Sequence, residues 1–329
     1  MNFTKTKFMV INGTEKEKET ICIDGKEISH CKKYIYLGAI ILENPSFAYF
    51  IEEHKAEKNK NILKLCSFLN KNPDLPFLLK QRVLEACIFS SLLYSCETWF
   101  SDKVGKLNSL YISAIKMVLG VRVSTPSDVV LLEIGYSRLQ SLIKEKQFRF
   151  FNKLISSRLH MDDDPFMHLL NVGRINGAPS ARYIDSILSF TTSSFTAYDR
   201  EVLKSQVRSE TGSKFINYCE LNPELSRHEI YDCSDVVEYH RTAFTRFRTG
   251  SHRLEIETGR WSRTPKEGRL CSCDDSSIQD EKHMIESCSL LAEMRQSLAN
   301  VNFAVESFFD GDCAAIAAFI YKALKTIES

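Results

Sequence analysis

Residues 75–119 read LPFLLKQRVLEACIFSSLLYSCETWFSDKVGKLNSLYISAIKMVL. Two helices are predicted in this stretch. In Lys103–Leu119 the apolar residues Leu107, Leu110, Tyr111, Ala114, Ile115 and Val118 recur at the helical period, one stripe on an otherwise polar surface. Gly120 is the expected closing residue. Leu75–Trp99 is apolar nearly all round, with Leu78, Val83, Leu84, Ile88, Leu92 and Leu93 on one side and Cys87, Phe89 and Tyr94 on others. A helix of that kind is predicted to be the central buried one.

Helical signals continue on both sides. Ser46–Leu69 starts after Asn44-Pro45 and carries Phe47, Phe50, Ile51, Ile62, Leu65 and Leu69 beside a dense Lys/Glu face. Thr125-Pro126 is read as N-cap and first helical residue of Ser127–Ile134. Leu139–Leu159 is amphipathic and basic. Beyond Met161–Pro165 the patterns weaken, with Arg174–Ser180 and Thr191–Thr196 read as loops. Asp235–Phe247 and Ala314–Leu324 are the clear helices near the C-terminus.

The first 45 residues differ from the rest. Lys7–Ile11 reads as a short strand. Thr20–Ile23 and Glu27–Ile28 flank Asp24-Gly25-Lys26, a hairpin signal because glycine tolerates the positive φ of a tight turn. Lys33–Leu42 reads as one apolar strand in which Gly38 marks a bulge or a close approach by another backbone. The expected fold is therefore mainly α. It comprises a small β unit at 1–45, a helical bundle at 46–160, a variable helical linker at 161–235, and a basic, metal-binding helical segment at 236–329.

Composition narrows the function. With 43 basic and 42 acidic residues the 329-residue chain is not basic as a whole, so any anion-binding face must be local. The longest uncharged apolar stretch, Ala86–Cys96, is about half a bilayer span, and no membrane partner is expected. The N-terminus has no signal-peptide pattern. Eleven scattered cysteines fit a reducing compartment better than a disulfide framework, and Cys66, Cys87 and Cys96 are expected as buried thiols.

Cys271, Cys273 and Cys288 form a cluster with His283. Three thiolates and an imidazole are what tetrahedral Zn²⁺ takes, and four protein donors make a closed, structural site. Just upstream, residues 241–269 carry eight basic residues against Glu255, Glu257 and Glu267, with Phe244, Phe247, His252 and Trp261 interleaved. Arg246, Arg248, Arg253, Arg260 and Trp261 are the candidate nucleic-acid contacts, since guanidinium forks match phosphates and aromatics stack on unpaired bases.

The ordered blocks KYIYLGAII, LLYSCETW, KMVLGVRVSTPSDVVLLEIG, FTRFRTGSHRLEIETGRW and RLCSC…EKHMIESC resemble the C-terminal half of reverse transcriptases of non-LTR (LINE-type) retrotransposons. The resemblance implies a palm remnant in which Asn2, Lys5 and Thr6 match a motif beyond the catalytic aspartates. Tyr36, Leu37 and Gly38 match the primer-grip hairpin, the helices of 46–160 the thumb, and Cys271, Cys273, His283 and Cys288 the terminal CCHC knuckle. The one-residue spacer between the first two cysteines and Ser289 after the last depart from the family's usual pattern. Implied partners are RNA or DNA, as template–primer duplex or element RNA, in cytoplasm and nucleus; oligomeric state is left open.

Nucleotidyl transfer needs palm aspartates holding two Mg²⁺ ions, present in the intact parent polymerase. The Asp-Asp steps here, within Asp162–Asp164 and at Asp274-Asp275, do not sit on a strand hairpin. The family pattern also begins abruptly at Met1, and too little chain follows Cys288 for a nuclease domain. The isolated chain is therefore expected to bind nucleic acid without being an enzyme. Two alternatives stand beside this reading: a truncated gene model of a complete polymerase polyprotein, and a domesticated helical zinc protein for protein–protein contacts. Purified chain supplied with primed RNA, Mg²⁺ and deoxynucleotides is expected to extend no primer; incorporation above a protein-free control would overturn the reading.

Overall fold

The computed structural model describes residues 6–44, 46–158, 164–190 and 194–328. Asn2 and Lys5 of the motif-like segment lie outside these residues. In chain order the strands are β1 (Ile21–Ile23), β2 (Lys26–Ile28), β3 (Lys33–Tyr36) and β4 (Ala39–Leu42). The helices are α1 (Phe47–Lys71), α2 (Phe77–Val83), α3 (Ser90–Leu92), α4 (Gly105–Leu119), α5 (Ser127–Ile134), α6 (Leu139–Arg158), α7 (Pro165–Ile175), α8 (Pro179–Leu188), α9 (Phe195–Ser209), α10 (Ser213–Leu221), α11 (Glu238–Arg248), α12 (Glu255–Trp261), α13 (Glu281–Glu286), α14 (Ala292–Gln296) and α15 (Cys313–Glu328). The fold is thus mainly helical with a small N-terminal β region, as the sequence predicts. Among the described residues, no helix is long and apolar enough to cross a membrane.

The chain forms two compact units, each built from separated stretches: residues 1–63, 87–111 and 139–195 in the first, and 64–86, 112–138 and 196–329 in the second. In the first unit β1 and β2 pair antiparallel through Asp24 and Gly25, both at positive φ, the two-residue turn that the Asp-Gly step predicts. The expected single strand Lys33–Leu42 is instead a second hairpin, β3–β4, with Tyr34 opposite Ile41. Leu37 (φ 48°) and Gly38 (φ 87°) make its turn. Gly38 does meet a close neighbour, but it is the Tyr94 ring, 3.3 Å from where a Cβ would stand. The Tyr94 hydroxyl donates to the Leu37 carbonyl, which helps hold a leucine in left-handed backbone. Lys7–Ile11 forms no strand; Phe8 alone bridges to His30.

The core of this unit surrounds Trp99, whose ring lies 5.1 Å from that of His54 and 5.5 Å from that of Phe50. Buried Gln147 donates to the carbonyls of Cys96 (3.0 Å) and Trp99, tying α6 beneath it. Phe151, Leu170, Ala181, Ile184, Ile187 and Phe195 form a second cluster between α6, α7 and α8. The loop expected at Arg174–Ser180 is shorter than predicted. Arg174 and Ile175 finish α7, and Pro179 opens α8, the first-turn position a residue without an N–H accepts at no cost. Asp164 caps α7, accepting from the Met167 N–H at 3.0 Å.

Leu75–Trp99 is not the central buried helix. Leu84–Phe89 forms a π-helical turn between α2 and α3, and the helix ends before Ser95, which takes a positive φ. Leu78, Leu79 and Tyr94 are exposed. Cys87 is exposed and Cys66 half-buried, so of the three thiols expected inside only Cys96 is buried. Within that turn Leu84 and Ile88 stay buried while Glu85, Ala86 and Cys87 face outward.

In the second unit the fully buried helix is α5: every residue from Val129 to Ile134 is inside, Glu133 included. Pro126, not Thr125, occupies the cap position of α5, and the buried Thr125 hydroxyl has no hydrogen-bond partner. Gly120 ends α4 as predicted, with the Val121 N–H returning to the Lys116 carbonyl at 3.1 Å.

Glu133 has no solvent exposure, and Arg248 of α11 meets it with Nε 3.1 Å from Oε1. The Tyr231 and Tyr218 hydroxyls donate to the same carboxylate at 2.8 and 3.0 Å. The remaining guanidinium edge reaches the Leu221 carbonyl, and the Phe244 and Phe309 rings flank the cation. Removing one partner of such a pair leaves a buried, uncompensated charge. Glu133→Ala is expected to destabilise the protein by about 3–5 kcal/mol, against less than about 1 kcal/mol for Asp185→Ala in the exposed Arg174–Asp185 pair. Urea unfolding of the two variants checks the contrast; equal losses would overturn it.

Candidate metal centre and adjacent basic face

The metal-ligand quartet stands on a short hairpin-like loop and the helix after it. Leu270 and Ile278 make a single antiparallel bridge, and the Cys271 N–H donates to the Ser277 carbonyl at 2.8 Å. Asp274 closes the loop. Its carboxylate accepts from the Ser276 and Ser277 N–H groups at 3.0 and 2.9 Å and from the Ser277 hydroxyl at 2.6 Å. The Ser277 hydroxyl first, then these N–H groups, hold Asp274 well below the ordinary carboxylate range. The Asp274-Asp275 step is therefore turn architecture. Asp280 then caps α13, accepting from the His283 N–H at 2.8 Å, so that His283 sits in the first turn and Cys288 just past the last.

The result is convergence. The four donor atoms of Cys271, Cys273, His283 and Cys288 all lie within 4.8 Å of one another. Cys271 Sγ and Cys288 Sγ are 3.8 Å apart, and Cys273 Sγ is 3.2 Å from His283 Nε2. A tetrahedron with metal–sulfur bonds of about 2.3 Å has sulfur–sulfur edges near 3.8 Å, so the spacing suits one ion. This Cys₃His cluster can hold a metal ion. His283 Nδ1 and the Ser287 hydroxyl are hydrogen-bonded at 3.0 Å, and with Nε2 bound to an ion Nδ1 would be the donor, which would anchor the ring. Burial first of all raises the Cys273 thiol and pushes Cys288 up to about 12, partly offset by the N–H groups of Ser289 and Leu290. A bound cation reverses that balance by favouring the thiolates.

The segment has more core than its polarity suggests. Leu254, Ile256, Met284, Ile285 and Leu291 are all buried. His252, also buried, bonds Glu281 through Nε2 at 2.8 Å. Burial opposes ionisation of Glu281, but His252 beside it keeps the carboxyl below its usual value.

The five predicted nucleic-acid contacts separate into two groups. Arg248 is not a surface residue: at 2% exposure and paired with Glu133, it belongs to the core. Arg260 is likewise turned inward, 3.0 Å from buried Glu257, which Lys214 also meets at 2.9 Å. The charge of residues 241–269 is thus partly consumed inside the unit, and neither arginine forms the expected phosphate face. Arg246 and Arg253 are exposed and line one cavity. Trp261 is 59% exposed, with the Arg122 guanidinium 4.2 Å over its ring. The same cavity receives Arg122, Tyr239, Tyr321 and Lys325, which sequence reasoning missed. The i,i+4 pair Tyr321 and Lys325 on α15 was the available signal. Tyr36, Leu37 and Gly38 belong to the first unit, at the exposed tip of β3–β4.

Comparison with protein-family models, curated proteins and solved structures finds no match for this chain. Elemental analysis of the purified chain is expected to give one metal ion per molecule. His283→Ala or Cys288→Ser should abolish it, and Ser287→Ala should lower metal affinity by about 10- to 100-fold through loss of the ring's anchor. Unchanged metal content in the first two variants would exclude this quartet as the ligands.

Proposed function

We propose that this chain binds nucleic acid as the C-terminal portion of a non-LTR retrotransposon reverse transcriptase, with a structural Zn²⁺ held by Cys271, Cys273, His283 and Cys288. One observation carries the reading: the Cys₃His quartet converges in the same unit as a concave, basic and aromatic face, and a buried hydrogen bond joins them. His252 lines that face and bonds Glu281, which lies on the same helical turn as His283.

The donor set favours zinc. Thiolates and imidazole are poor ligands for Mg²⁺ or Ca²⁺ and good ones for Zn²⁺, and four of them leave no position open for substrate. The ion's work is then to fix residues 269–291 against α12, so that the arginines before them are presented in one place. Asp164 caps α7 and Asp274 closes the turn before Ser277. The bound partner in this reading is RNA or DNA, met in cytoplasm or nucleus.

Phosphate contact falls to Arg246 and Arg253. Arg246→Glu with Arg253→Glu is expected to weaken binding to all sequences alike and to flatten the dependence of log K on log salt by about two units, since each phosphate contact contributes about one. Titration of labelled RNA and DNA across a salt series measures this. Wild-type binding that is absent, or indifferent to salt, would overturn the reading.

A further inference from the structure

The basic face is a cavity of about 600 Å³ within the second unit, walled by α11, α15, the chain after α4 and residues 251–253. Arg122, Arg246, Arg253 and Lys325 line it, against two carboxylates, Asp74 and Glu238. Glu238 is already met by Lys80 at 2.7 Å and Arg241 at 2.6 Å. Among the lining side chains the balance of charge is therefore positive, with Asp74 the carboxylate not held by Lys80 and Arg241. Arg246 is anchored at the wall by its Nε donating to the Gly120 carbonyl at 2.7 Å.

The other wall is aromatic. The Tyr239 and Tyr321 rings pack with centroids 4.9 Å apart, and His240 completes the cluster at 4.6 Å from Tyr239. Tyr239 is 49% exposed, so much of it is uncovered at the cavity. The Lys325 ammonium stands 6.0 Å over the Tyr321 ring. An apolar ligand would offer these basic side chains no acceptor, and a metal ion would face the wrong charge. An anion with a flat, unpaired aromatic group satisfies both walls at once.

We propose that this cavity is a subsite for one nucleotide of a single strand. Its phosphate lies between Arg246, Arg253 and Lys325, and its base stacks against Tyr239. The inference rests on the nucleic-acid reading above and adds the strand state to it. A duplex offers phosphates to such a face but keeps its base faces inside the stack, whereas an unpaired nucleotide can present both. The volume lies in the usual range of about 300–1,000 Å³ for pockets that enclose a small ligand.

The test compares affinities of the full chain for a short oligothymidylate strand and for a blunt duplex of equal length, read by fluorescence anisotropy. Tyr239→Ala is expected to weaken single-strand binding by about 5- to 150-fold, as loss of one base–aromatic stack does, and to leave duplex binding within about twofold. Tyr239→Phe should restore the single-strand affinity, because the ring and not the hydroxyl does the stacking. Lys325→Ala should lower the single-strand salt slope by about 0.7. If neither nucleic acid binds the wild type, the nucleic-acid reading and the subsite both fall. If both bind in a salt-dependent way while Tyr239→Ala weakens them equally or not at all, the subsite alone is overturned.

Discussion

Glu133 and Arg248 carry opposite charges into a region that water does not reach, and the second unit is organised around that fact. Removing a carboxylate and a guanidinium from solvent costs several kcal/mol each, offset only where every lone pair and N–H finds a partner. Here the partners come from α5, α10, the turn at Tyr231 and α11 together. The pair also sets the rotation of α11. At about 100° per residue, Arg246 points some 200° away from Arg248, so burying one exposes the other. Gly250 at φ 60° then ends the helix, the Ser251 N–H returns to the Arg246 carbonyl at 2.7 Å, and Arg253 is delivered to the same face.

The parts of the fold legible in sequence are those specified locally. The stripe of Leu107 to Val118 gives α4, Gly120 gives its end, and Asp24-Gly25 gives the first hairpin, whereas the helix starts at Pro165 and Pro179 were read only as a break and a loop. What was not legible depends on distant partners or on a single extra residue per turn. The π turn at Leu84–Phe89 leaves no mark in composition, yet it breaks the helix that looked most buried. The second hairpin was hidden because Leu37 is a poor residue for positive φ, and only the Tyr94 contact from elsewhere in the chain shows how it is held.

The site divides along the same line. The four ligands were legible because their spacing is itself the chemistry: two cysteines on one turn, a histidine and a cysteine on the next. The arginines were not, because a string of positive charges does not record which are neutralised. Arg248 finds its carboxylate 115 residues away, and Arg260 shares Glu257 with Lys214. The residues that replace them in the cavity, Arg122, Tyr321 and Lys325, come from segments that sequence proximity would never join to residues 241–269. His252 and Glu281 show the converse case, a buried hydrogen bond that braces the cavity wall against the helix that presents His283.

The four ligands are not equally sheltered. Cys271 and Cys288 have no exposure and His283 has 8%, while Cys273 is only half-buried. An ion held by these donors would be closed to solvent on three sides and reachable past one sulfur. Chelators and oxidants would then enter by the same door, displacing or capping Cys273 first, and the lifetime of the centre would be set by the accessibility of that one thiolate more than by the strength of the other three bonds.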